Sequence, residues 1–210
     1  MRIALTRPEG QNEELAARLD ELGLEVVVCP LIAIEPLGDE PIDLEGYDWL
    51  IVTSVNAARE LKRRGRGRGR PRRVAAIGRA TAEAFGGADL VPETSTQEGL
   101  LDALPQPAGR VLFAGAERAR RLLAEELGAD FLPLYRTREL RPEQPPDVDL
   151  TVLASPSAAR ALAAIGLTGP AVSIGPETTA AAQEGGVRVV EEASPHDLDG
   201  LVAAVHRATR

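Results

Sequence analysis

At 210 residues, with a formal net charge of −8 and 44% apolar residues, the chain is globular in composition and long enough for one large domain or two small ones. The acidic balance argues against general nucleic-acid affinity. No apolar run approaches the ~18 residues of a membrane span, so no membrane partner is expected. The opening MRIALTRPEG reads as a first strand and not as a signal peptide, which points to the cytoplasm.

Taken in chain order, strands are predicted over 2–6, 25–29, 48–53, 73–77, 89–91, 110–113, 130–133, 149–154, 171–174 and 187–190. Helices are predicted over 10–22, 55–64, 79–86, 96–104, 117–127, 156–165, 177–184 and 196–207. Strands that are apolar throughout, such as Ile3–Leu5, Val26–Val28 and Leu50–Val52, imply burial on both faces and hence parallel sheets covered by helices. Five strands in each of two domains is the count of a flavodoxin-like, doubly wound α/β fold. Ser95 with Glu98, and Ser194 with Asp197, read as capping pairs, with Pro195 as a first helical residue.

The chain says nearly the same thing twice. DWLIVTSVNAAREL from Asp48 is matched by DLTVLASPSAARAL from Asp149, and VAAIGRATAEA from Val74 by AVSIGPETTAA from Ala171. Each copy is an apolar run, a small or hydroxyl residue and an Ala-rich helix: the pattern of strand, tight turn and helix N-terminus. A tandem duplication would cut near Ala108. The extended segments Leu31–Pro41 and Leu134–Pro145 instead suggest a chain that crosses between domains twice.

The usual catalytic motifs are absent: no G-x-S-x-G, C-x-x-C, H-E-x-x-H, P-loop or G-x-G-x-x-G after a strand. Cys29, the one cysteine, excludes an internal disulfide and reads as a buried strand thiol. His196 and His206, ten apart on one predicted helix, lack a ligand spacing, so no metal is expected. What remains is a set of turns at strand ends. Gly78-x-x-Thr81 and Gly175-x-x-Thr178-Thr179 open helices, where unpaired N–H groups attract anions. Ser54 and Ser155 occupy equivalent turns, and Arg7 ends the first strand. The bland alternatives are N-cap hydroxyls and a surface arginine. Tyr135 is one of six aromatics and lies in a polar segment, PLYRT. Lys62–Arg73, KRRGRGRGRPRR, carries eight of the 24 basic residues and reads as a mobile solvated loop, with steering of a polyanion as a secondary role.

Together these segments resemble the uroporphyrinogen-III synthase family over essentially the full chain. The resemblance rests on LTRPEGQ (Leu5–Gln11), TSVNAAR (Thr53–Arg59), IGRATAEA (Ile77–Ala84), GAERAR (Gly115–Arg120), PLYRT (Pro133–Thr137), SPSAAR (Ser155–Arg160) and IGPETTAAA (Ile174–Ala182). It implies two flavodoxin-like, doubly wound parallel-sheet α/β domains, one of residues 1–34 with 140–210 and one of 40–133, joined by a two-stranded linker at 35–39 and 134–139, with the active site in the cleft between them. It also implies a monomer without cofactor that converts the linear tetrapyrrole hydroxymethylbilane to uroporphyrinogen III. The hydroxyl leaves as water, and ring D is inverted through a spiro intermediate. Transient contact with hydroxymethylbilane synthase would supply the substrate. Tyr135 would assist loss of the hydroxyl. Arg7, Ser54, Gly78, Thr81, Ser155, Gly175, Thr178 and Thr179 would contact substrate carboxylates. The alternative is a non-catalytic two-domain anion-binding or sensor module.

Overall fold

The computed structural model describes residues 1–65 and 67–210. Contacts divide the chain into two compact units, Met1–Ala33 with Thr137–Arg210, and Ile34–Arg136.

The first unit is a five-stranded sheet in the order β10-β9-β8-β1-β2. Its strands are β1 (Arg2–Leu5), β2 (Glu25–Val28), β8 (Leu150–Leu153), β9 (Pro170–Ser173) and β10 (Arg188–Glu192), every pair parallel. Parallel neighbours require crossovers, supplied by α1 (Glu13–Asp20), α6 (Pro156–Ala164) and α7 (Pro176–Glu184), while α8 (Leu198–Ala208) follows the last strand and covers the sheet. Alternate strand residues feed opposite faces. On one face Ile3, Leu5, Leu150 and Val152 pack with Leu15 and Leu19 of α1 and Leu201 and Val205 of α8. On the other, Leu153 and Ala171 meet Ala158 and Leu162 of α6 and Ala182 of α7. Each such leucine or isoleucine stabilises the fold by roughly 1.5–3 kcal/mol.

The second unit orders its strands β3-β7-β6-β4-β5. They are β3 (Ile32–Pro36), β4 (Trp49–Val52), β5 (Arg73–Ala76), β6 (Val111–Ala116) and β7 (Asp130–Glu139). Leu50, Val52, Leu112 and Ala114 face α2 (Val55–Arg64), while Trp49, Ile51, Val111 and Phe113 face α4 (Gln97–Ala103) and α5 (Leu122–Leu127). Four strands are parallel. β3 is not. The Leu37 N–H donates to the Leu134 carbonyl (2.9 Å) and the Leu140 N–H to the Leu31 carbonyl (2.8 Å), so one strand ascends as the other descends. The expected linkers are therefore largely strand.

Several expectations need correction. Residues 89–91 form only the isolated bridge Ala75–Leu90, because Pro92 has no N–H to extend a ladder. The fifth strand of that sheet is β3. The helix expected from 117 begins at Leu122, since β6 runs to Ala116 and the Glu117 N–H is given to the Tyr135 carbonyl (2.8 Å). Thr96 and Asp197, not Ser95 and Ser194, cap α4 and α8, accepting from Gly99 and Gly200. Pro195 and His196 thus precede α8. Cys29 is half-buried just past β2, with its thiol pushed up by burial. The Arg-Gly segment, of which Arg66 lies outside the described residues, is docked and not free. Gly67 donates to the Ile42 carbonyl and Leu44 to that of Arg68, both at 2.8 Å. Arg63, Arg68 and Arg72 pair with Asp39, Asp43 and Asp48. A Cβ at Gly69 (φ +75°) would lie 2.6 Å from the Glu45 backbone, so the Arg-Gly alternation lets two backbones meet.

Candidate functional site

The two sequence repeats are repeats of geometry. After β4, Ser54 caps α2 at φ −163°, ψ 155°; after β8, Ser155 caps α6 at φ −164°, ψ 154°. After β5 and β9, Gly78 (φ −166°) and Gly175 (φ 172°) open α3 (Arg79–Phe85) and α7. All four turns lie at strand carboxyl ends, where ligands of open α/β sheets bind.

In the first unit Arg7, Ser155 and Gly175 follow β1, β8 and β9, three adjacent parallel strands. Asn12, 2% exposed, shapes the Arg7 turn by donating Nδ2 to the carbonyls of Arg7 and Pro8, each at 3.1 Å. In the second unit Ser54, Gly78 and Tyr135 sit at the same end of β4, β5 and β7.

Two expected site residues touch. Tyr135 Oη lies 3.0 Å from Ser54 Oγ, bridging across β6. Ser54 Oγ also accepts the Ala57 N–H at 3.0 Å, as Ser155 Oγ accepts that of Ala158 at 3.2 Å. The cap reading of both serines therefore holds. Tyr135 is 6% exposed, and burial raises its phenol, partly opposed by hydrogen bonding with Ser54 and Asn56. The phenol keeps its proton and remains a donor.

The glycine turns differ from the serine turns. No side chain of the N-cap residue closes α3 or α7. The room left by each glycine is taken by a protein side chain: Ser95 over Gly78 and His196 over Gly175. Thr81 and Thr178 are buried, with their N–H groups turned to the carbonyls of Gly78 and Gly175. Thr179 is engaged elsewhere, since its hydroxyl hydrogen-bonds the Glu192 carboxylate and lies 2.6 Å from Ser173 Oγ. Its hydroxyl proton is thus directed to Glu192.

Sequence reasoning missed Asn56, Ser95, Ser173, Glu192 and His196. The equal offset of Ser54-x-Asn56 and Ser155-x-Ser157 marked Asn56. Glu192 and His196 carry no local motif. Among the described residues no His, Cys, Asp and Glu group could hold a metal ion, and no helix is long and apolar enough to cross a membrane.

A family model described as uroporphyrinogen-III synthase HemD matches residues 13–203. The chain belongs to the uroporphyrinogen-III synthase family. Its function is the family's enzymatic one, a lyase step of porphyrin and heme biosynthesis with a tetrapyrrole substrate. It is 30% identical to the uroporphyrinogen-III synthase of Synechococcus elongatus, over 99% of this chain and 95% of that one. It is 25% identical to the chloroplastic enzyme of Oryza sativa, over 99% of this chain and 80% of that one. The fold is similar to a solved mutant uroporphyrinogen III synthase of Thermus thermophilus, with a TM-score of 0.67 at 19% identity over 100% of this chain and 98% of that one.

Proposed function

We propose that the chain converts hydroxymethylbilane to uroporphyrinogen III at the carboxyl ends of its sheets, with Tyr135 assisting departure of the hydroxyl. The bilane's hydroxyl leaves as water and its pyrrole N–H gives up a proton, which yields an azafulvene. Ring D attacks through its substituted carbon to form a spiro intermediate, which fragments and recloses with ring D inverted. Because the bilane also closes unaided without inversion, the protein's main task is to hold it folded for the spiro route.

Carboxylates of the tetrapyrrole are received by Arg7 and by the backbone of the Gly78 and Gly175 turns, where the helix dipoles favour anions; Thr81 and Thr178, whose N–H groups bond within those turns, shape them. Ser155 keeps a hydroxyl proton to donate after accepting the Ala158 N–H. Ser54 holds Tyr135 in place. The observation that carries the role of Tyr135 is its buried, protonated phenol, fixed 3.0 Å from a cap serine at a ligand-binding strand end. No cofactor takes part in this scheme.

The two compact units serve as flavodoxin-like domains. Numbered within the unit, the first sheet has the order 2-1-3-4-5 of that fold. In the second, β3 enters first and fills the fifth place in reverse. The reading extends to a cytoplasmic monomer that takes its bilane in transient contact with hydroxymethylbilane synthase, since a free bilane would close by itself.

The test is Tyr135→Phe. It should melt like wild type and lose on the order of 100-fold in kcat, the scale of a single proton-donating group. Wild-type turnover in that variant would reduce Tyr135 to packing.

A further inference from the structure

At the carboxyl ends of β9 and β10 three side chains form a directed chain of hydrogen bonds that ends beside a histidine. Ser173, fully buried, places Oγ 2.6 Å from Thr179 Oγ1. Thr179 Oγ1 in turn hydrogen-bonds Glu192 Oε2. A carboxylate only accepts, so Thr179 donates to Glu192 and Ser173 donates to Thr179. One Glu192 oxygen is thereby fixed. The other, Oε1, lies 3.8 Å from His196 Nε2.

The imidazole is also seated from below. A Cβ on Gly175 would come within 3.2 Å of the His196 ring. The backbone at Gly175 is extended, at φ 172°, which any residue can adopt. Space for the ring, not conformation, therefore calls for glycine. The second unit repeats the arrangement with a smaller group: a Cβ on Gly78 would lie 3.0 Å from Ser95 Oγ. Where that unit seats a hydroxyl, the first seats an oriented imidazole, with 48% of its side-chain surface exposed.

A carboxylate facing Nε2 favours the tautomer with the proton on Nε2, which leaves a lone pair on Nδ1. In that tautomer Nε2 donates and Nδ1 accepts. Among the polar groups of hydroxymethylbilane, the donors are the pyrrole N–H groups and the one hydroxyl, which the scheme above places with Tyr135. The geometry points to His196 as a further substrate-binding residue, whose Nδ1 accepts a pyrrole N–H, with Glu192 and Thr179 as positioning residues. This rests on the synthase reading above and adds a contact to the set at the Gly175 turn.

Steady-state kinetics with hydroxymethylbilane test it. His196→Ala should raise KM roughly three- to tenfold, the worth of one hydrogen bond, with kcat and the isomer ratio close to wild type. Gly175→Ala should do the same by displacing the ring. His196→Asn, which sets an amide oxygen near the place of Nδ1, should restore most of the affinity; this outcome separates acceptance from packing. His206→Ala, remote on α8, should leave KM unchanged. A wild-type KM in His196→Ala, or no rescue by Asn, would overturn the assignment. A wild-type protein that yields no type III product would instead overturn the synthase reading and this one with it.

Discussion

Tyr135 and Ser54 show what a single residue contributes. Tyr135 stands out in the sequence as the lone aromatic of a polar segment. Its partner does not, because the two lie 81 positions apart and meet only when β4, β6 and β7 align. The same holds for Thr179 and Glu192: the threonine was legible as part of a helix-opening pattern, and the glutamate that accepts its hydrogen bond was not. Both tyrosines, Tyr47 and Tyr135, are pushed above the ordinary phenol range, each chiefly by burial, with Asp130 adding to the effect at Tyr47. A raised folded value means that folding favours the protonated phenol. That contribution is present below the ordinary value of about 10 and is lost as pH rises through the folded one. An absorbance titration should therefore show tyrosinate appearing only above about pH 10. A midpoint for Tyr135 at or below the ordinary value would contradict the burial of its ring.

At the scale of elements, the repeats were legible because strand, turn and helix signals are local. Ser54 and Ser155 reach nearly the same dihedral angles from different sequences. Capping at α4 and α8 was misread because S-x-x-acid patterns place the cap one and three residues early. What decides the register is a glycine at the third helical position. A Cβ on Gly99 would lie 2.2 Å from the Thr94 carbonyl oxygen, and one on Gly200 would lie 1.8 Å from that of Pro195. The preceding loop folds onto the helix where a side chain would stand. Gly→Ala inside a helix ordinarily stabilises by about 1 kcal/mol. Gly200→Ala should do the reverse and destabilise by roughly 1–3 kcal/mol in denaturant titration, the cost of overpacking. A more stable variant would show that the loop does not close on α8. β3 was hidden for another reason: Leu31–Pro41 is rich in proline and charge, and it becomes a strand only through pairing with β7.

At the scale of the whole molecule, continuous apolar strands announced helix-covered parallel sheets, and order and spacing of motifs announced the family. Each unit carries its own core on both faces of its sheet. Residues 34–136 are contiguous and should fold as an excised fragment with a cooperative thermal transition; a fragment without one would show that its core depends on the rest of the chain. The central claim is catalytic and is tested by product isomers. Supplied with hydroxymethylbilane, the protein should give predominantly uroporphyrinogen III, above the type I isomer that forms in buffer alone. An isomer mixture the same as that of the buffer control would contradict the account.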